Sequence, residues 1–272
     1  MDQCAKQVFI FFILWNLGWV DGSFAYIPPS QFITKTWVKK HSAIKGLKFK
    51  SVVTGYHRNK PTEVHFKETM VYDPHSLLLR RWALDDADKK LYFYERKLNS
   101  ASVFSQVLMS HDLEKVMGAL KEVGIPIQTE QELLAVKTEV ERTQLEKESL
   151  LNWNGTIAWV IGALSDQESL KPQIWFEKDT FLPLRMIYSR SSDDPIYDFR
   201  LEGVRYLREF PYPKSITVWK NVDIILNSQL SDFIGEIDNI RSGSMLPGFT
   251  EVGKNAPSNL RDLIQKYYEL FG

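Results

Sequence analysis

The chain has 272 residues, 34 basic against 34 acidic side chains, 44% hydrophobic and 13% aromatic content, and a single cysteine, Cys4. A quarter of the residues are charged and one stretch alone is strongly apolar, which excludes both an acidic disordered tail and a polytopic membrane protein. The 16 Phe, 11 Tyr and 8 Trp suffice for a sizeable core and favour β structure.

At the N-terminus, Lys6 precedes the apolar run VFIFFILWNL (Val8 to Leu17), and Ser23 and Ala25 follow it. This is the order of a secretory signal peptide cleaved before Tyr26. Extended to Val20, the run has 13 residues, short of the roughly 20 that a spanning helix needs. Residues 1–25 are therefore expected to be a signal peptide and 26–272 a single exported domain. Without its leader the chain has 33 basic residues, 32 acidic residues and no cysteine. That leaves no disulfide or thiol chemistry and fits a Gram-negative periplasm better than an animal extracellular fluid.

Charge is unevenly placed. Tyr26 to Thr62 carries eight basic residues and no acidic one, +8 against −7 for the rest of the mature chain. Lys39, Lys40, Lys48 and Lys50 are the candidate basic patch, either an ordinary solvated face or a surface for anionic headgroups or an acidic partner.

Pro28-Pro29-Ser30 opens a helix, with Ser30 as its expected cap and Phe32, Ile33, Trp37 and Val38 at helical spacing. From Gly46 the pattern switches to period two. Leu47, Phe49, Ser51 and Val53, then Val64, Phe66, Glu68, Met70 and Tyr72, form one face each of two antiparallel strands around a Gly55–Pro61 turn. Leu77–Leu84 and Leu91–Arg96 continue the meander. Val103 to Leu120 returns to helical spacing and stops at Gly124 and Pro126, and Thr129 with Glu132 reads as a capping box.

Strands resume at Ser149–Trp153 and Thr156–Ala163 around Asn154-Gly155, the strongest short hairpin signal in the chain. Further strands are expected at Gln173–Lys178, Leu184–Tyr188, Ile196–Tyr206, Ser215–Lys220, Val222–Leu230 and Gly235–Arg241, then a terminal amphipathic helix through Leu260, Leu263, Ile264, Tyr267 and Phe271. About eleven strands and four helices with no βαβ alternation define an α+β fold, a large curved antiparallel sheet covered by helices.

Motifs for chemistry are missing. The five histidines show no metal-ligand spacing, no Gly-x-Ser-x-Gly elbow supplies a nucleophile, and Phe249 stands where a phosphate loop needs lysine. No catalytic residue, metal or cofactor is expected, and a near-zero net charge argues against nucleic acid. Asn154-Gly155-Thr156 matches a glycosylation sequon, which the hairpin explains without a sugar.

Trp153–Ala163, WNGTIAWVIGA, and Pro172–Met186, PQIWFEKDTFLPLRM, resemble members of the outer-membrane lipoprotein carrier (LolA/LolB/RseB-like) superfamily. The resemblance implies an incomplete, strongly curved β-barrel whose concave apolar face, covered by helices, holds acyl chains. A single large antiparallel sheet curls for physical reasons as well, and its concavity can take an apolar ligand. The wall would then be Leu47, Phe49, Val53, Val64, Phe66, Met70 and Tyr72, with Phe32 and Trp37 of the first helix and Phe104, Leu108 and Met117 as lid. Alternation alone fits a filled core equally well. The chain departs from the superfamily in length and in lacking the cysteine anchor of acceptor-type members.

The expected function is a periplasmic, non-enzymatic carrier or chaperone for lipid or lipoprotein acyl chains in outer-membrane biogenesis, meeting membrane surfaces or envelope transport proteins. The alternative is an envelope regulator or sensor of the same fold that binds a protein partner.

Overall fold

The computed structural model describes residues 27–44, 46–128, 132, 148–163, 170–189, 191, 193–207, 210–234, 248–251 and 256–272. The signal-like segment, the start of the capping box at Thr129 and the strand expected at Gly235–Arg241 lie outside them.

Period-two patterning becomes two meanders. The first comprises β1 (Leu47–His57), β2 (Lys60–Asp73), β3 (Leu78–Leu84) and β4 (Lys90–Lys97). Its first turn is tighter than Gly55–Pro61. Arg58 and Asn59 alone connect β1 to β2, at φ 49° and 61°, the left-handed geometry that matches strand twist in a two-residue hairpin. The second meander runs through β5 (Glu148–Trp153), β6 (Thr156–Ile161), β7 (Gln173–Glu177), β8 (Pro183–Tyr188), β9 (Tyr197–Leu207), β10 (Phe210–Lys220) and β11 (Asp223–Ile234). Asn154 and Gly155, at φ 50° and 85°, make the expected β5–β6 turn.

Pairing of β1 with β11 fuses the meanders into one sheet, and a short β12 (Gly248–Glu251) adds to the edge at β4. The order is β12-β4-β3-β2-β1-β11-β10-β9-β8-β7-β6-β5, twelve strands joined by antiparallel pairs. Four-residue β12 carries no alternation long enough to read from sequence. The edges β12 and β5 do not pair with each other, so the sheet is an incomplete barrel. Twist accumulated over so many strands curls the sheet, and bulges at Phe49/Ser51 and Thr54/Tyr56 bend β1 further.

Four α-helices occur among the described residues: α1 (Ser30–His41), α2 (Val103–Met109), α3 (Leu113–Glu122) and α4 (Ser258–Phe271). Ser30 does not cap α1; it is the first helical residue, its N–H donates to Glu148 Oε1 at 2.9 Å, and its Oγ accepts from the Gln128 N–H at 2.9 Å. The helical spacing from Val103 to Leu120 divides into α2 and α3 because the Asp112 carboxylate takes the Glu114 and Lys115 N–H groups and starts a new helix.

The apolar face of α4 packs into the inner, concave face of the sheet. Leu263, Ile264, Tyr267 and Phe271 are buried in one cluster with Phe66, Met70, Leu79 and Ala83 of β2 and β3. Phe104 stacks on Phe199 with centroids 4.2 Å apart, and Phe271 meets both edge-on at 5.4 and 5.7 Å. Full burial of each such ring stabilises the fold by about 1.5–3 kcal/mol.

Candidate functional site

Between the inner face and the helices lies an apolar cavity of about 60 Å³. Trp37 and His41 of α1 roof it, Leu47 and Phe49 of β1 and Ile216 and Leu230 of β10 and β11 form its wall, Phe104, Leu108 and Met109 come from α2, and Tyr267 and Phe271 from α4. The Trp37 Nε1–H donates to the Val107 carbonyl at 3.0 Å and ties α1 to α2 over the space. A single water-sized group needs about 10–15 Å³ of such space, so the cavity holds only a few groups of that size. A whole acyl chain enters only if a helix moves.

A polar row crosses the inner face beside the cavity. Strand alternation turns Ser51, Glu68 and Arg81 inward on β1, β2 and β3, all at 2% exposure or less. Arg81 Nη1 donates to Glu68 Oε1 at 3.1 Å, while the Tyr267 hydroxyl at 2.6 Å and the Ser51 hydroxyl at 3.2 Å donate to Glu68 Oε2. Arg81 Nη2 donates at 3.0 Å and Ser105 Oγ at 2.5 Å to the Phe271 carbonyl at the end of α4. Burial, and next the Glu68 carboxylate, raises the Tyr267 phenol, which stays a neutral donor. These bonds fix α4 in the concavity by groups that lose heavily if left unpaired.

A ladder of rings stands at the α1 end of the cavity. Trp37 lies 5.3 Å from His41, His41 4.9 Å from His111 in the α2–α3 connection, and His111 6.0 Å from Tyr72. Burial first and His111 second push the His41 imidazole well below the ordinary histidine range; burial and then His75 lower His111. Both rings are thus neutral when folded and protonate more readily when unfolded. The stability that this neutrality supplies is complete above about pH 6.5, the unperturbed histidine value, and falls as pH drops through the depressed folded values. Thermal midpoints are expected to hold steady from pH 8 to 7 and decline from about pH 6.5 to 5, above the carboxylate range, with a shallower decline for His41→Gln. An equal slope in the variant would remove the pair as the cause.

Of the residues expected in the wall and lid, Trp37, Leu47, Phe49, Phe104 and Leu108 surround the cavity. Val53, Phe66, Met70 and Tyr72 are packed in the core around it, with Val64 and Met117 partly buried against that core. Phe32 sits elsewhere: it is 53% exposed and meets Phe181 edge-on at 6.4 Å. The basic residues are divided between two sides of the sheet. Lys39 and Lys40 belong to α1 on the inner side, and Lys40 donates to the Asp179 and Thr180 carbonyls at 3.2 and 3.1 Å. Lys48 and Lys50 alternate with inward-facing Leu47 and Phe49 and so point outward, Lys50 pairing with Asp232 at 3.5 Å.

Sequence reasoning did not single out Arg81, Glu68, His41, His111 or the α4 residues as a site. For Glu68 a signal existed, a carboxylate in the middle of an otherwise apolar strand face.

The geometry defines a class: an open antiparallel sheet curled around helices, with a small apolar cavity under a two-helix roof. No protein-family model and no curated sequence matches the chain. Among solved structures it is similar to a LolA-superfamily protein from Nitrosomonas europaea, at 7% identity over 78% of this chain and 96% of that one, with a TM-score of 0.47. It is also similar to a Vibrio parahaemolyticus domain described as an outer membrane lipoprotein-sorting protein, at 7% identity, 88% and 99% coverage and a TM-score of 0.38. A DUF1329-family protein from Desulfovibrio piger gives 11% identity, 77% and 94% coverage and a TM-score of 0.41.

Proposed function

We propose that the protein is an exported, non-enzymatic carrier or chaperone of the Gram-negative periplasm that shields an acyl chain of a lipid or lipoprotein. The observation that carries this reading is the apolar cavity between the inner sheet face and α1, α2 and α4. Burying apolar chain there is worth about 0.8 kcal/mol per methylene, so a site that takes part of a chain binds usefully and still releases. Loading requires α1 and α2 to swing away from β1 as a roof, joined to each other by the Trp37–Val107 bond and released from the Lys40 contacts to the Asp179 and Thr180 carbonyls and the Ser105 contact to the Phe271 carbonyl.

Native mass spectrometry of the protein purified after expression with its N-terminal segment is expected to show co-purified lipid. If no lipid is retained and no fluorescent fatty acid binds, the carrier reading fails. A second reading, a regulator that binds a protein partner, draws on α4: a helix already fills much of the concavity that a carrier keeps for cargo. Lipid-free protein that captures a defined envelope protein would favour it.

A further inference from the structure

The ring ladder at the α1 end of the cavity has a property that packing alone does not explain. The Tyr72 hydroxyl and the His111 Nε2 are both buried without a hydrogen-bond partner. Tyr72 is fully buried, on the inner face directly opposite Leu47, a cavity-lining residue of β1. His41 lies between the cavity and His111, and itself lines the cavity. A buried polar atom with no partner costs as much as a lost hydrogen bond, so two of them directly behind Leu47 and His41, which line this end of the apolar space, mark a place where a polar group of a ligand fits once the roof opens.

Position gives that ligand an orientation. Tyr72 is next to the last residue of β2, whose turn to β3 begins at Asp73 and carries exposed His75. His111 is half-buried in the connection between α2 and α3. The polar atoms are therefore near the rim of the sheet, and the apolar space is deeper, under Trp37 and Phe104. An amphiphile would lie tail inward with its first polar atoms at the rim.

Chemistry narrows the polar group. The phenol donates, and a neutral imidazole donates from one nitrogen. Burial keeps His41 and His111 uncharged, and the one guanidinium on the cavity lining, Arg81, is already paired with Glu68 at 3.1 Å, so a carboxylate placed between Tyr72 and His111 would meet no free positive charge on the lining. We propose that Tyr72 and His111 form a subsite for a neutral acyl carbonyl, the ester or amide carbonyl that heads a fatty chain held in the cavity. The subsite rests on the carrier reading and specifies which end of the cargo is recognised.

The test compares two amphiphiles of equal chain length that differ at one group: glycerol monolaurate, an ester, and 1-O-dodecylglycerol, the ether without the carbonyl. Binding is measured below their aggregation limits by native mass spectrometry or calorimetry. The wild type is expected to prefer the ester by about tenfold, the size of one well-made hydrogen bond. Tyr72→Phe and His111→Leu should each reduce that preference severalfold and leave ether affinity unchanged. In the ligand-free protein Tyr72→Phe should hold or raise the thermal midpoint, since the hydroxyl it removes has no partner; a lowered midpoint would make the hydroxyl a structural group and overturn the subsite. Equal affinity for ester and ether overturns the subsite and leaves the carrier reading intact. Tighter binding of laurate than of the monoester overturns the choice of a neutral carbonyl. Binding of neither amphiphile by the wild type removes the carrier reading and the subsite with it.

Discussion

Replacing Arg81 by methionine is expected to lower stability by roughly 3–5 kcal/mol, measured as the shift in denaturant midpoint at constant slope. Arg81 is 1% exposed and Glu68 fully buried, so the variant leaves a carboxylate inside the sheet with hydroxyl donors alone to face it. The Phe271 carbonyl loses one of its two side-chain donors at the same time. Glu68→Gln in the Arg81→Met background should restore much of the loss, because an amide oxygen still accepts from Tyr267 and Ser51 and carries no charge. A double-mutant cycle on the two residues is expected to give a coupling above 1 kcal/mol. Additive losses would mean that the pair does not act as a unit and that α4 is retained by its apolar contacts.

The second large effect concerns Phe104, which is 1% exposed, stacks on Phe199 and forms part of the cavity wall. Phe104→Ala removes a buried ring where α2, α4 and β9 meet, and is expected to cost about 3–5 kcal/mol through lost transfer energy and incomplete collapse of the space. In a chain of this size that is a fall of about 10 °C in thermal midpoint. The emptied space joins the existing cavity of about 60 Å³. Enlarged apolar cavities of about 150 Å³ remain dry and take benzene, so millimolar benzene should raise the midpoint of Phe104→Ala while leaving the wild type unmoved. A variant that loses stability without responding to benzene would show that α2 collapses onto β9, and that the roof is too mobile to keep a defined space.

The candidate site was legible in proportion to how local its causes are. Trp37, Phe104 and Leu108 followed from helical spacing and Leu47 and Phe49 from alternation, since side-chain direction in a helix or strand is a property of a few neighbouring residues. The same alternation places Ser51 and Glu68 inward, and Arg81 between inward-facing Leu79 and Ala83. A polar residue on an apolar face reads from sequence as an isolated exception. It becomes a site when registers bring the exceptions together: Ser51 opposite Glu68, and Met70, two residues on, opposite Arg81. Phe32 shows the opposite failure, for its helical spacing is sound but its side of α1 faces Phe181 and solvent. Likewise, a run of eight positive charges resembled one patch in the sequence, and the pleat of β1 sends its lysines to the side of the sheet away from α1.

From sequence alone came the α+β class, the two meanders, most strand boundaries, the Asn154-Gly155 hairpin and the amphipathic character of α4. Each rests on propensity and periodicity within about a dozen residues. Tertiary structure alone decided that β1 pairs with β11 across roughly 180 positions, that β12 closes onto β4, that α4 occupies the concavity, and that His41, His111 and Tyr72 converge at its rim. Closing such long loops costs an entropy that depends only weakly on which segments meet. The choice among partners is therefore made by the summed burial and hydrogen bonding of the whole sheet and its helices, which no local pattern in the sequence records.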